Sequence, residues 1–244
     1  MTLSIDQLSY RDVAKTIDHS LLRPEFDSET VIEGVRLALR YDVASATVRP
    51  ADVAVAARLV EGSDVMISTV VGFPHGSHTT ATKQFETEEL IRAGADEIDM
   101  VLNIGRLISG EHEYVERDIR TVVEAAQGRT VKVIFENAYL NDEQKIQACE
   151  LSAAAGAGFV KTSTGFASSG ATLEDLTLMR EHTPPDVQVK AAGGVRTLDA
   201  LLDVMRVGVT RVGATATEAI LEDFKARKDG AAAPTDAPTP SSAY

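Results

Sequence analysis

Short, nearly continuous apolar runs alternate along this chain with longer stretches whose apolar residues recur at helical spacing. Eight runs read as strands: 15–20, 43–48, 65–72, 97–103, 131–137, 159–164, 187–193 and 210–213. Most lack the polar alternation of a half-exposed strand, as expected for parallel strands covered on both faces. The stretches between them, 28–40, 50–60, 81–93, 113–126, 142–155, 172–181, 198–207 and 218–227, read as helices, with a further helix over 5–14 before the first strand. Cap-like residues open several of them, for example Asn141-Asp-Glu-Gln144. Regular β/α alternation predicts a parallel α/β sheet. Eight such units predict a (β/α)8 TIM barrel spanning residues 1–229. No Gly-x-Gly-x-x-Gly opens the first helix, which argues against a dinucleotide-binding open sheet. From Gly230 the Ala/Pro-rich composition cannot bury a core, so 230–244 is expected to be a flexible tail ending in Tyr244.

Two lysines break the apolar pattern. Lys161 lies in Gly158-Phe-Val-Lys-Thr-Ser-Thr-Gly-Phe166 and Lys190 in Val187-Gln-Val-Lys-Ala-Ala-Gly-Gly194. A lysine is rarely buried without a partner or a task. At ~4 Å and an effective dielectric near ~20, two ammonium groups repel by roughly 4 kcal/mol, enough to lower one amine's pKa by about three. Burial acts in the same direction, and a neutral amine attacks carbonyls. The pair therefore suggests Schiff-base chemistry. A purely structural Lys–Asp pair is the competing reading for either lysine alone.

The composition narrows the partners. A formal net charge of −13 argues against nucleic acid and against an acidic membrane surface, both of which need a basic face. No apolar run is long enough to span a membrane. The N-terminal residues lack signal-peptide character, and Cys149 as the sole cysteine allows no intrachain disulfide, so a cytoplasmic location is expected. No His/Cys/Asp cluster has metal-ligand spacing, and lysine chemistry needs neither metal nor cofactor.

Catalytic side chains of such barrels sit at the C-terminal ends of the strands. The ends offered here carry Asp18, His19 and Ser20; Ser45 and Thr47; Asp99 and Asn103; Glu136 and Asn137; Lys161 and Thr164; and Lys190. Asp99 inside an apolar run needs a cation or a proton. Lys132 is a third amine, but its place early in its strand predicts a position low in the barrel. His19 alone reads as a hydrogen-bonded structural histidine, and Cys149 as core packing. Gly193-Gly194 and Gly213-Ala-Thr-Ala-Thr217 follow the last two strands, where barrels often hold phosphate through backbone N–H groups; ordinary tight turns are the alternative.

These segments resemble the deoxyribose-phosphate aldolase family. The resemblance rests on Ile17-Asp-His-Ser-Leu-Leu22, Gly94-Ala-Asp-Glu-Ile-Asp-Met-Val101, Val131-Lys-Val-Ile134, Phe159-Val-Lys-Thr-Ser-Thr-Gly165 and Val189-Lys-Ala-Ala-Gly-Gly-Val-Arg-Thr197, and covers roughly residues 15–225 in order. It implies a (β/α)8 barrel that joins acetaldehyde and D-glyceraldehyde 3-phosphate into 2-deoxy-D-ribose 5-phosphate, reversibly and without cofactor. Lys161 would carry the Schiff base, Lys190 would lower its pKa, Asp99 would move protons with an ordered water, and Asp18 would support the lysines. Ser20, Thr47, Thr164, Gly165, Gly193, Gly194, Gly213 and Thr215 would line the substrate site. A terminal tyrosine, here Tyr244, enters the site in some members. About 14 links of chain, at most ~48 Å when extended, allow that reach. Family members are often homodimers or homotetramers. Three departures stand out. Thr47 replaces a cysteine associated with inactivation by aldehydes, which predicts aldehyde tolerance. Phe166 replaces a phosphate-holding lysine, and Thr215-Ala216 replaces a pair of serines; together they predict weaker preference for phosphorylated substrates. An aldolase for a different or unphosphorylated aldehyde, and a non-catalytic sugar-phosphate-binding barrel, are the rival readings.

Overall fold

The computed structural model describes residues 4–231. Eight parallel strands close into one barrel in sequence order: β1 (Ile17–Leu21), β2 (Ser45–Val48), β3 (Met66–Val71), β4 (Glu97–Val101), β5 (Thr130–Ile134), β6 (Phe159–Lys161), β7 (Gln188–Ala192) and β8 (Arg211–Ala214). Closure comes from β1, which pairs with both β2 and β8. Among the described residues ten α-helices surround it: α1 (Tyr10–Ala14), α2 (Ser28–Arg40), α3 (Val53–Val60), α4 (Thr80–Ala93), α5 (Ile104–Ile108), α6 (His112–Ala125), α7 (Asp142–Ala154), α8 (Leu173–Glu181), α9 (Leu198–Arg206) and α10 (Thr217–Lys228). Side-chain caps fix many of the helix starts: Asp27, Thr79, Asn141, Thr172 and Thr197 each accept a backbone N–H from the first turn. Among the described residues no helix is long and apolar enough to cross a membrane.

Four details depart from the pattern-based expectation. The helix expected over 5–14 splits into a 3-10 turn at Ile5–Gln7 and α1, because Ser4 and Ser9 each form their own capping box. Residues 50–52 form a 3-10 turn ahead of α3, with Pro50 at its first position. Helix α5 is additional; Asn103 ends the β4 run and caps the new helix by accepting the Arg106 N–H. Several strands end sooner than their apolar runs: β6 stops at Lys161 and β7 at Ala192, so Thr164 and Gly193 stand in loops.

Alternation within the strands sorts the side chains into two environments. Ile17, Ala46, Ile67, Ile98, Met100, Val131, Val133, Val160, Val189, Ala191 and Val212 point outward and, with the inner faces of the helices, make the hydrophobic core. The alternate positions point into the barrel. They carry Asp18, Ser45, Ser68, Glu97, Asp99, Lys132, Lys161, Lys190 and Arg211, all buried. Branched aliphatics ordinarily fill such an interior. Here ion pairs fill much of it, and that substitution builds the site.

Candidate active site

Strand register brings the charged residues together. Asp99 on β4 pairs with Lys132 on β5, Lys161 on β6 with Lys190 on β7, and Lys190 with Arg211 on β8. The side chains close the pattern across the barrel. Asp99 Oδ2 accepts hydrogen bonds from Lys161 Nζ at 2.7 Å and from Lys190 Nζ at 2.8 Å. Asp99 Oδ1 accepts from Lys132 Nζ at 2.8 Å. Asp18 Oδ2 lies 2.5 Å from Lys190 Nζ as an ion-pair contact, and Asp18 Oδ1 accepts from Ser45 Oγ at 2.6 Å and from Arg211. Below them Glu97 accepts from Lys132 at 2.8 Å and from both Arg211 amino groups at 3.0 and 2.8 Å.

Each group's charge follows from its neighbours. Burial would raise the Asp99 carboxyl's pKa, but Lys132, Lys161 and Lys190 hold it well below the usual carboxylate range. Burial likewise opposes ionisation of Asp18, and Lys190, Lys132 and Arg211 overcome it. Lys132 is buried but faces three carboxylates, which raise its pKa and keep it charged. Lys190 goes the other way. Burial lowers its pKa, Lys161 and Lys132 lower it further, and Asp18 and Asp99 do not restore it. The cluster counts four basic side chains, Lys132, Lys161, Lys190 and Arg211, against three carboxylates, Asp18, Asp99 and Glu97. Lys161 and Lys190 share one oxygen of Asp99, so a single carboxylate links the two amines. Lys190 is tied to two carboxylates and Lys161 to one, which leaves Lys161 the amine with N–H positions to spare.

Above the cluster lies an open cavity at the mouth of the barrel. Ser20, Thr47, Lys161, Thr164, Lys190, Gly193, Gly194, Gly213 and Thr215 all line it, so nine of the expected site residues meet at one mouth. Thr47 Oγ1 is buried there without a hydrogen-bond partner among the described residues, an open polar position for a substrate hydroxyl. Asp18 and Asp99 lie beneath, fully buried, and reach the cavity through the lysines. Gly165 does not line it. Its φ of +91° serves the turn after Thr164. Tyr244 lies outside the described residues.

Sequence reasoning missed three participants. Arg211 and Glu97 open their strands, where a charge reads as an exposed end, yet the closed barrel buries both. Arg196 follows Gly193-Gly194-Val195 and lines the cavity, which gives it a guanidinium beside the two glycines. Lys132 sits low, as expected, but is bonded directly to Asp99 and so belongs to the same charge network. His19 donates to or accepts from Thr217 Oγ1 at 2.8 Å, and burial lowers its pKa to about 4; it is a neutral structural group facing away from the cavity.

Comparison with known proteins agrees with this geometry. The profile of the DeoC/LacD family aldolases matches residues 13–232. The deoxyribose-phosphate aldolase of Clostridium perfringens strain SM101 is 50% identical over 213 residues, 87% of this chain and 95% of that protein. The enzyme of the same name from Bacillus cytotoxicus is 50% identical over 220 residues, 89% and 99% of the two chains. Among solved structures, a putative deoxyribose-phosphate aldolase from Coccidioides immitis superposes with a TM-score of 0.86 at 34% identity, covering 89% of this chain and 87% of that one. A deoxyribose phosphate aldolase from Aeropyrum pernix, described as a unique tetramer, superposes with a TM-score of 0.84 at 31% identity, covering 91% and 95%.

Proposed function

The chain belongs to the DeoC/LacD family of aldolases, and from that premise we propose that it cleaves 2-deoxy-D-ribose 5-phosphate reversibly into acetaldehyde and D-glyceraldehyde 3-phosphate. The observation that carries the reading is Asp99 Oδ2 bonded to both Lys161 and Lys190. Neutral Lys161 Nζ attacks C1 of the open-chain sugar and forms a carbinolamine. Loss of water gives a cationic imine, which draws electrons from the C2–C3 bond. As that bond breaks, the C3 hydroxyl loses its proton and becomes the carbonyl of glyceraldehyde 3-phosphate. The remaining two carbons stay on Lys161 as an enamine, are protonated at C2, and leave as acetaldehyde when water hydrolyses the imine. Lys190 and Asp99 hold and pass the protons of the carbinolamine steps, and Asp18 with Arg211 keeps Lys190 in place. Tyr244 is assigned the C2 proton; deleting it should slow deuterium exchange into acetaldehyde.

The acceptor end rests on Gly193, Gly194, Thr215, Arg196 and the start of α10, whose first N–H groups favour an anion. With Phe166 and Ala216 in place of polar residues, the preference for phosphorylated over unphosphorylated acceptors is weak and depends on Arg196. Arg196→Gln should reduce it a further tenfold or more. A large preference that this substitution leaves intact would exclude the assignment. The protein is a cytoplasmic homo-oligomer in this reading, a dimer or tetramer, as light scattering would decide.

The test of the function is reduction with borohydride in the presence of acetaldehyde, followed by peptide mapping. A mass increase on Lys161, absent in Lys161→Arg, is expected. Intact protein with no trapped adduct would return the chain to a sugar-phosphate-binding barrel.

A further inference from the structure

Glu136 is a buried carboxylate that the steps above leave idle. It follows β5 with φ 57° and ψ 67°, a left-handed backbone that a residue with a side chain keeps only where its surroundings enforce it. The enforcing neighbours are the main chain at the Schiff-base lysine. Phe135 N–H donates to Lys161 O at 2.9 Å, and Asn137 N–H donates to Thr162 O at 3.0 Å. Held from both sides, the Glu136 carboxylate reaches Thr164. The Thr164 N–H lies 3.2 and 3.3 Å from its two oxygens, and the Thr164 hydroxyl donates to Oε2. Phe166 N–H in turn donates to that hydroxyl oxygen at 3.0 Å.

Thr164 is the partition between two cavities. One is the lysine cavity; the other is lined by Pro74, His75, Ile104, Glu136, Tyr139 and Phe166. An ionised carboxylate accepts from both Thr164 donors at once. A glutamine amide offers a single acceptor oxygen and turns a donor toward the same place. Burial raises the Glu136 pKa, while Lys161 is close enough to oppose that rise.

The geometry points to Glu136 as a positioning residue for the aldolase reaction: its carboxylate fixes Thr164 as the wall against which the acceptor aldehyde is oriented. This rests on the reading that Lys161 carries the substrate. Acetaldehyde exchange with deuterium needs only Lys161 and its proton partners. Cleavage of 2-deoxy-D-ribose 5-phosphate also needs the acceptor half held in line.

The experiment compares these two rates on Glu136→Gln. Sugar-phosphate cleavage, as kcat/KM, is expected to fall at least ten times further than acetaldehyde exchange. Equal falls, or no fall in either, would overturn the proposal. If the glutamine variant does not fold, the same ratio is read on Glu136→Asp, which keeps the charge but withdraws it by one methylene; a ratio unchanged from the parent would overturn it equally. The double variant carrying Thr164→Val with the folded Glu136 substitution should cleave no more slowly than Thr164→Val alone, and additive losses would show that Glu136 acts elsewhere. Borohydride trapping on the parent protein tests the underlying Lys161 reading separately.

Discussion

Asp99 and Lys132 are register partners on neighbouring strands, and their side chains meet inside the barrel at 2.8 Å. The contact occupies one oxygen of Asp99 and leaves the other to Lys161 and Lys190. One carboxylate thus neutralises a fixed cation with one atom and links two exchanging amines with the other. Asp99→Asn keeps the shape and removes the charge. Breaking a buried ion pair in this way costs about 3–5 kcal/mol. Because three amines lose a shared counter-charge together, and Lys161 the one carboxylate it is bonded to, we expect a lower melting temperature and a rate of acetaldehyde trapping reduced more than tenfold. A variant of unchanged stability and trapping rate would refute the role.

His19 makes stability depend on pH in a defined window. Its folded pKa is about 4, against 6.5 when unperturbed. Between those values the unfolded chain binds the proton and the folded chain does not, so stability falls as pH falls from about 6.5 toward 4 and is not lowered further by this group below that. The total is on the order of 3 kcal/mol. The paired aspartates contribute mainly at lower pH, since unfolded aspartate titrates near 3.8. Denaturant unfolding at pH 7.5 and pH 4.5 should show this loss in the parent and a smaller one in His19→Gln. Equal losses in the two proteins would assign the effect to other groups.

Thr47 sits in the cavity wall beside Ser20, its register partner, and within the same cavity as Lys161. A hydroxyl there is a poor nucleophile toward aldehydes, whereas a thiol would be a strong one. We expect the parent to keep its activity in concentrated acetaldehyde and Thr47→Cys to lose activity several-fold faster. Activity followed over hours, with the adduct located by mass spectrometry, checks this. Rapid loss in the parent would contradict it.

Gly76 lies in the loop between β3 and α4 with φ +68°, and a Cβ there would stand 1.9 Å from Leu102 O. The loop rests directly on the chain leaving β4, two residues beyond Met100 and three beyond Asp99. Buried Lys83 supports the same segment by donating to Val101 O at 2.9 Å and to Asp118 at 2.6 Å. Gly76→Ala meets both a disfavoured backbone angle and an unyielding carbonyl, so a loss of more than about 2 kcal/mol is expected. Thermal unfolding measures it; a melting temperature within a degree of the parent would show that the loop has room to move.

Much of this architecture was legible along the chain because doubly covered strands announce themselves as apolar runs. Lys161, Lys190 and Asp99 were legible for the opposite reason, as charges where none should be. Arg211 and Glu97 carried no such mark, since each stands first in its strand and only closure of the barrel buries it. Lys132 was visible as an amine, but its bond to Asp99 depends on the register between two strands, which a one-dimensional pattern does not specify. Helix α5 was hidden because five residues are too few to display a period. The left-handed backbone at Glu136 has no compositional signature at all, since glutamate is not a residue that such an angle would suggest.

The charged lumen has a consequence for how such a protein can change. Its inward positions are committed to one another, so a substitution at any of them is felt simultaneously as lost chemistry and lost foldedness. The keel of the molecule is therefore closed to gradual revision. New selectivity must come from the rim, at positions such as Thr47, Phe166, Arg196 and Thr215, where side chains can be exchanged one at a time without unbalancing the ions below.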